Sequence, residues 1–263
     1  MPKLAANLSM LFTELPFMER FGAAAEYGFK GVEYLFPYDF DVAAIRDELE
    51  AHGLKQVLFN LPAGDWDAGD RGIAADPARV EEFRRGVSLA IEYAKALGCP
   101  QVNCLAGIVP EGVSQSEAEA TLTGNLKYAA AELEKAGIRL VMEAINTRDI
   151  PGFALNTTGQ ALQIQEAVGS ANLTLQYDIY HMQIMEGDIA PTLSAHLAEI
   201  GHVQLADTPG RHEPGTGELN YHFLFSHLDS IGYQGWVGCE YKPATTTAEG
   251  LAWLKEYGMN QEG

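Results

Sequence analysis

Four apolar segments of the chain each end in a residue whose side-chain oxygen can bind a divalent metal. The segments are 140–143, 173–178, 202–204 and 236–240, and they end at Glu143, Asp178, Gln204 and Glu240. These residues are separated by 35, 26 and 36 positions, about one strand plus one helix each. Residues so spaced converge when the segments are neighbouring parallel strands that end at the same edge of a barrel. Their oxygen-only donor set suits a hard cation, with Mg²⁺ expected first and Mn²⁺ as the alternative.

A pair of carboxylates beside such a cation suits an isomerisation that moves a proton between neighbouring carbons through an enediolate. The metal would hold the substrate oxygens and stabilise the developing negative charge. One carboxylate would remove the proton and a second group would return it, and Glu143 and Glu240 are the two candidates. Each alone fits a structural ion pair equally well. The full set favours a metal, because four buried oxygens at one rim would repel one another without a cation.

Further polar residues follow predicted strands or lie in the loops beyond them. At strand ends these candidates are Asn7, Glu33, Asn60, Asn103, His181 and Lys242. His181 follows Asp178 by three positions, and both a fifth metal ligand and a substrate contact are open for it. Arg211 lies in the Gly- and Pro-rich loop 207–218, where its guanidinium could bind a substrate carboxylate. The alternative for Arg211 is a surface ion pair with Glu213.

The elements that must position these residues alternate along the whole chain. The hydrophobic pattern predicts strands at 4–10, 31–36, 55–61, 101–106, 139–145, 173–177, 202–206 and 236–240. It predicts helices at 15–27, 42–52, 77–97, 117–135, 158–168, 189–200, 221–231 and 247–257. Eight strands without a Gly-rich phosphate loop after the first favour a single (β/α)₈ TIM barrel over an open sheet. We therefore expect one domain over residues 1–263.

The third helix illustrates how the chain marks its elements. Asp76 is a good N-cap, Pro77 suits the first helical position, and Gly98 can end the helix in a left-handed conformation. Glycines stand in the same place before strands two, three and five. Loop 60–72 follows strand three and contains a single Trp, so it fits either a lid over the site or an ordered surface loop.

Charge and composition exclude several classes of partner. The chain has 17 Lys and Arg against 36 Asp and Glu, a formal net charge of −19. Nucleic acid is bound through clustered cations, so a nucleic-acid partner is not expected. No apolar stretch is long enough for a membrane span and no secretory signal is evident, so we expect no membrane partner and a cytoplasmic location. Whether the chain forms a homo-oligomer is left open.

Five strings in the chain carry a resemblance to a known family. They are residues 6–12 (ANLSMLF), 60–66 (NLPAGDW), 176–183 (QYDIYHMQ), 213–218 (EPGTGE) and 238–243 (GCEYKP). With them the chain resembles the hydroxypyruvate isomerase family, within the xylose-isomerase-like TIM-barrel superfamily. The resemblance implies interconversion of hydroxypyruvate and 2-hydroxy-3-oxopropanoate (tartronate semialdehyde) in glyoxylate metabolism. Ala144 and Thr208 stand where this family is expected to have Pro and Asn, and neither is a ligand.

The resemblance also implies roles for individual residues. It places the acid/base pair on Glu143 and Glu240, and the metal ligands on Glu143, Asp178, Gln204 and Glu240. For the small anionic hydroxy-keto acid we expect contacts from His181, Arg211, Asn7 and Lys242. A sister family of 2-oxo-tetronate isomerases has the same ligand set and is the nearest alternative. An abasic-site endonuclease and a catalytically silent metabolite-binding barrel are the alternatives from other classes.

Overall fold

Eight parallel strands pair in chain order and close into a barrel in the computed structural model, which describes residues 2–257. The strands are β1 (Lys3–Asn7), β2 (Gly31–Glu33), β3 (Lys55–Asn60), β4 (Gln101–Cys104), β5 (Arg139–Glu143), β6 (Leu173–Asp178), β7 (Ile200–Leu205) and β8 (Trp236–Cys239). The predicted TIM barrel is confirmed. The assignment of residues 1–263 to one domain stays a prediction, and its positions 1 and 258–263 lie outside the described residues.

Helices cover the outside of the barrel and connect its strands. They are α1 (Arg20–Glu26), α2 (Val42–Ala51), α3 (Val80–Leu97), α4 (Gln115–Lys135), α5 (Thr158–Val168), α6 (Ile179–Met185), α7 (Ile189–Ala195), α8 (Tyr221–Ser230) and α9 (Thr247–Gly250). Short 3₁₀ helices occupy Phe17–Glu19, Pro77–Arg79 and Ala252–Tyr257. None of the helices in this described part of the chain has the length and apolarity needed to cross a membrane.

The caps predicted for the third helix are present. The Asp76 side chain accepts a hydrogen bond from the Ala78 N–H, and Pro77 opens a 3₁₀ turn that leads into α3. Gly98 ends α3 at a φ of 63°, which glycine adopts at little cost. The chain then enters β4, so the glycine sets where the next strand begins.

Element boundaries differ from the predicted ones where the backbone turns early. β1 ends at Asn7 rather than residue 10, because the Asn7 carbonyl accepts from the N–H groups of Met10 and Leu11. Helix α6 was not predicted; it begins directly after β6 because the Asp178 side chain caps it. The predicted helix 189–200 ends at Ala195, and the last predicted helix divides into α9 and a 3₁₀ segment.

The barrel has two apolar clusters. The larger one fills the space between the strands and the surrounding helices. The smaller one lies inside the barrel towards the amino ends of the strands and consists of Ala5, Val57, Leu58 and Val141, with Trp236 packed against it. Side chains of this small cluster fill the interior towards the amino ends, and buried polar side chains such as Glu143 and Asp178 lie at the carboxyl ends.

Candidate active site at the carboxyl ends of the strands

Strand register places the carboxyl ends of neighbouring strands level with one another. Glu143 of β5 lies opposite Gln176 of β6, and Asp178 of β6 lies opposite Gln204 of β7. Strand β8, which Glu240 follows, pairs with β7. All five side chains are buried. The structure thus collects at one rim the four residues whose spacing predicted convergence.

Arg211 lies among the buried carboxylates. Its Nη2 donates a hydrogen bond of 2.6 Å to Glu240 Oε2 and lies 3.5 Å from Asp178 Oδ2. Its guanidinium carbon lies 5.1 Å from the centre of the Tyr180 ring. Its buried Nε–H has no hydrogen-bond partner among residues 2–257. Arg211 therefore gives the cluster one positive charge and retains a donor that a ligand could use.

The carboxylates perturb one another's protonation. Burial raises the pKa of Glu143 well above its ordinary value, and the charges of Glu240 and Asp178 raise it further. Burial also raises the pKa of Glu240 to about 8, against the opposing effect of Arg211. The Asp178 pKa is raised by burial as well. One guanidinium does not compensate three buried carboxylates, so this donor set fits a further cation.

The hydrogen-bond network assigns the tautomer of His181. The Asn146 side-chain oxygen accepts from the backbone N–H groups of Arg148, at 3.0 Å, and Asp149, at 2.8 Å. The Asn146 NH₂ group must then face His181, and it lies 2.6 Å from Nδ1. Nδ1 is consequently the acceptor, and Nε2 carries the ring hydrogen.

The Nε2–H of His181 points into the carboxylate cluster. Nε2 lies 3.5 Å from Asp178 Oδ2 and 3.8 Å from Glu143 Oε1. Burial, with the nearby charge of Arg211, lowers the pKa of His181 well below its ordinary value. The ring is therefore neutral at neutral pH and offers the site a hydrogen-bond donor. This favours a substrate contact over a metal ligand for His181.

The two carboxylate oxygens of Asp178 make different contacts, one with the start of α6 and one with the site. Oδ1 accepts a 2.8 Å hydrogen bond from the Tyr180 N–H and caps the start of α6. Oδ2 faces Arg211 and His181. The residue is the last of β6, so the strand and the helix together fix the direction of its carboxylate.

A further buried carboxylate, Glu33, lies below the cluster and binds three side chains from two strands, β1 and β7. Glu33 Oε1 accepts from Asn7 Nδ2 at 3.0 Å and from Gln204 Nε2 at 2.7 Å. Glu33 Oε2 lies 2.7 Å from His202 Nε2. Asn7 Nδ2 also lies 3.2 Å from Glu240 Oε1. Glu33 thereby holds the side chain of Gln204, and it holds Asn7 beside the predicted acid/base residue Glu240.

Sequence reasoning placed Glu33 at a strand end without giving it a role, and it did not single out His202. The pair is 169 positions apart in the chain, so spacing alone could not join them. One signal was present: Glu33 ends an apolar strand, as Glu143 does. Asn103 also received no role, although its Nδ2 donates to Glu143 Oε2 at 3.0 Å.

The loop that carries Arg211 is held by one buried carboxylate. Asp207 accepts hydrogen bonds from the backbone N–H groups of Thr208, Gly215, Gly217 and Leu219, at 2.9 to 3.0 Å. Both ends of loop 207–218 are therefore tied to the same side chain. This anchoring explains how a loop without regular structure can present Arg211 at a fixed place.

Loop 60–72 packs over the neighbouring strand ends. Trp66 contacts Phe36 with ring centres 5.1 Å apart, and the guanidinium of Arg71 lies 4.3 Å from the Trp66 ring. Next to this loop lies a cavity of about 530 Å³ lined in part by Tyr38 and Asp65. These contacts describe an ordered loop, and a lid function stays a prediction.

Three of the clustered residues meet a basic geometric condition for holding a metal ion. One ligand atom from each of Glu143, Asp178 and His181 lies within 4.8 Å of the others, and all three residues are buried.

Lys242 differs from the other predicted site residues. Its side chain is exposed, and its backbone N–H donates to the Arg211 carbonyl at 2.8 Å.

Comparison with known proteins places the chain in a family. The family model described as xylose isomerase-like TIM barrel matches residues 21–257. Hydroxypyruvate isomerase of Escherichia coli is 54% identical over 98% of this chain and 100% of its own length. A 2-oxo-tetronate isomerase of Cupriavidus necator is 48% identical over 98% of this chain and 99% of its own length.

A solved structure with a different printed description shares the fold of this chain. A crystal structure from Brucella melitensis, described as AP endonuclease, family 2, has a TM-score of 0.95 and 49% sequence identity. The match covers 98% of this chain and 99% of that one. The predicted resemblance is confirmed: the chain belongs to the hydroxypyruvate isomerase family of xylose isomerase-like TIM barrels.

Proposed function

We propose that this protein is a hydroxypyruvate isomerase, which interconverts hydroxypyruvate and 2-hydroxy-3-oxopropanoate. The observation that carries the proposal is the buried pair Glu143 and Glu240, which share one rim with Asp178 and Arg211. The relative from Escherichia coli with that name is 54% identical over nearly the whole chain. A place in glyoxylate metabolism follows from the same substrate pair.

A divalent metal fits the buried donor set. Glu143, Asp178, Gln204 and Glu240 would hold it, with Mg²⁺ preferred for these oxygen ligands and Mn²⁺ as the alternative. When bound, such an ion supplies a Lewis acid that polarises the substrate carbonyl. His181 stays outside this ligand set, because the hydrogen bond from Asn146 to its Nδ1 leaves a proton on Nε2.

The two glutamates then divide the proton transfer. In the forward direction one carboxylate would remove a proton from C3 of hydroxypyruvate and the other would return a proton to C2, while the proton of the C3 hydroxyl moves to the C2 oxygen. Burial raises the pKa of Glu240 to about 8 in the metal-free site, whereas a bound cation would favour the ionised carboxylate, which is the form that accepts a proton. Asn103 donates to Glu143 Oε2 and so fixes the direction of that carboxylate.

Four residues are proposed to bind the substrate. Arg211 has an unpartnered buried Nε–H within residues 2–257 and can add a hydrogen bond to a carboxylate. His181 offers its Nε2–H, and Asn7 lies 3.2 Å from Glu240 through its NH₂ group. Lys242 is exposed next to the Arg211 backbone and would attract the anionic substrate from solvent.

Isomerisation of a four-carbon 2-oxo-tetronate is the second candidate. Relatives with that name from Cupriavidus necator and Haemophilus influenzae are 48% and 44% identical to this chain. The difference between the two substrates is one carbon unit, which a pocket distinguishes by about tenfold to two-hundredfold. Turnover of the two compounds under the same conditions decides between them.

The partners follow from the chemistry of the site. The substrate is a small anionic hydroxy-keto acid, and the net charge of −19 opposes binding of a nucleic acid. We propose a cytoplasmic enzyme without a membrane partner. A homo-oligomer is compatible with this proposal and is tested by light scattering.

Nuclear magnetic resonance in D₂O tests the proposed reaction directly. Proton transfer through an enediolate should form 2-hydroxy-3-oxopropanoate with deuterium at the carbon that receives the proton. We expect EDTA to abolish turnover and Mg²⁺ or Mn²⁺ to restore it. Glu240→Gln serves as the matched inactive control. The proposal fails if metal-loaded protein does not convert hydroxypyruvate, and turnover of 2-oxo-tetronate alone would favour the second candidate.

A further inference from the structure

Glu33 is a fully buried carboxylate that takes no part in the proton transfer proposed above. It has no direct contact with Glu143 or Asp178 among the hydrogen bonds and ion pairs of residues 2–257. Its three partners are the side chains of Asn7, Gln204 and His202. A buried charge is costly, so its retention at this place calls for a reason.

The orientation of Asn7 shows which groups donate to Glu33. The Ser9 backbone N–H donates to Asn7 Oδ1 at 3.1 Å, so the NH₂ group of Asn7 must point the other way. That NH₂ group lies 3.0 Å from Glu33 Oε1. Glu33 Oε1 therefore acts as an acceptor, independently of how the amide of Gln204 is placed.

The same oxygen decides the orientation of Gln204. An amide has one donor end and one acceptor end, and only the donor end satisfies an acceptor oxygen at 2.7 Å. With the Gln204 NH₂ group held by Glu33, its Oε1 faces away and accepts from Gln176 Nε2 at 2.6 Å. A carbonyl oxygen has a second lone pair, so this Oε1 can also bind a cation.

We propose that Glu33 is a positioning residue that turns the amide of Gln204 so that its oxygen, and not its NH₂ group, faces the metal. This inference rests on the metal site of the proposed function. Carboxylates commonly orient metal-binding histidines in this way, and such partners contribute about 10-fold to 100-fold to metal affinity. Here an amide takes the place of the imidazole.

Gly238 supplies the space that Glu33 requires. A Cβ at Gly238 would fall within 2.3 Å of Glu33 Oε1 and 2.4 Å of Oε2. Gly238 lies opposite both Ala5 and Gln204 in the barrel register. Only a glycine at this place in β8 leaves room for a carboxylate beside Gln204.

Mn²⁺ titration calorimetry of EDTA-treated, dialysed protein tests the role of Glu33 without using turnover. Glu33→Leu removes the acceptor and frees the amide of Gln204 to rotate. We expect Mn²⁺ affinity to fall about tenfold or more. Circular dichroism and melting of the metal-free variant check that it folds.

Two further variants separate orientation from charge and from loosened packing. Glu33→Gln removes the charge but keeps an oxygen for Asn7 and Gln204, and we expect affinity within about fivefold of wild type. The double variant E33L/Q204E has two equivalent oxygens at position 204, so orientation no longer matters. It carries the same total charge as wild type, and we expect affinity within about fivefold of wild type.

The outcomes are decisive in both directions. Loss in E33L with recovery in E33Q and E33L/Q204E supports the positioning role. Equal loss in E33L and E33Q would assign the effect to charge and overturn it, as would undiminished affinity in E33L or absence of Mn²⁺ binding in wild type. If wild type binds Mn²⁺ but does not isomerise hydroxypyruvate, the proposed function fails while the role of Glu33 is still decided.

A measurement on the wild-type protein covers the case in which E33L does not fold. The side-chain NH₂ protons of Gln204, assigned by their loss in Q204E, should exchange slowly with solvent both without and with Mg²⁺. Rapid exchange in either state would mean that Glu33 does not hold the NH₂ group, and the inference would be overturned.

Discussion

The two ends of the same eight strands are built from different residues. At the amino ends, strands begin with exposed Lys3, Lys55 and Arg139, and the barrel interior is filled by an apolar cluster that includes Val57 and Val141. At the carboxyl ends, the interior holds buried carboxylates and amides. The amino half adds stability by burying apolar surface, whereas the carboxyl half accumulates charge that burial disfavours. The site is therefore placed where the fold bears a cost rather than where it gains stability.

The largest expected effect is on kcat, and it distinguishes a residue at the carboxyl end of β5 from one nearer its amino end. Glu143→Gln or Glu240→Gln should lower kcat about a thousandfold or more while the fold survives, because acid/base groups contribute up to about four orders of magnitude. Val141→Ala, two positions before Glu143 in β5, should lower the free energy of unfolding by about 1–3 kcal/mol. We expect V141A to keep its kcat. Steady-state kinetics and urea unfolding measure both, and full activity in E143Q would contradict the assignment.

A second prediction compares an arginine at each end. Arg211→Lys should lower kcat/KM about tenfold to a hundredfold, since a lysine cannot reproduce the paired N–H groups offered to a carboxylate. Arg139→Lys at the exposed start of β5 is the matched control and should leave kcat/KM unchanged. Equal effects of R211K and R139K would indicate a general charge effect instead of a specific contact.

Two strand glycines give a matched pair of packing variants. A Cβ at Gly238 would meet the Glu33 carboxylate, and one at Gly201 would lie 2.2 Å from Thr174 Oγ1. Both Gly→Ala variants should lose about 1–3 kcal/mol of stability from overpacking. Only G238A should also weaken Mn²⁺ binding, as measured by calorimetry. A similar loss of Mn²⁺ affinity in G201A would remove the distinction between the two ends.

The smallest expected effect is a pH dependence confined to the metal-free protein. Burial raises the pKa of Glu240 to about 8, so the folded state holds a proton that the unfolded state has already released near neutral pH. The metal-free protein should therefore lose stability as the pH rises from about 5 to about 8. E240Q should show a shallower dependence of stability on pH, because it lacks this titrating carboxyl group. The apolar amino-end cluster has no titratable group and contributes no pH dependence. Melting temperatures in EDTA across this range measure the slope, and a rise in stability with pH would contradict the expectation.

The sequence predicted the repeating part of the molecule better than its exceptions. Periodic apolar runs separated by glycines such as Gly98 indicate eight strand and helix units, because each unit follows local rules of capping and burial. Helix α6 was missed, although Asp178 followed by apolar residues is a recognisable N-cap pattern. The spacing of Glu143 and Glu240 along the sequence correctly predicted that they meet at one rim of the barrel. The contact between Glu33 and His202 depends on closure of the barrel across strands distant in sequence, which local patterns do not encode.

Asp178 ends a strand, starts a helix and faces the carboxylate cluster, and each use needs a different atom or bond of the same residue. An asparagine would keep the helix cap but lose the charge, and a glutamate would keep the charge but withdraw its oxygen from the Tyr180 N–H. We therefore expect neither asparagine nor glutamate to replace aspartate at this position during evolution. Because one residue both caps α6 and supplies a carboxylate to the site, the start of the helix and the composition of the site cannot change independently. A homologue with another residue at this position would need both a new cap for α6 and a new group in the site.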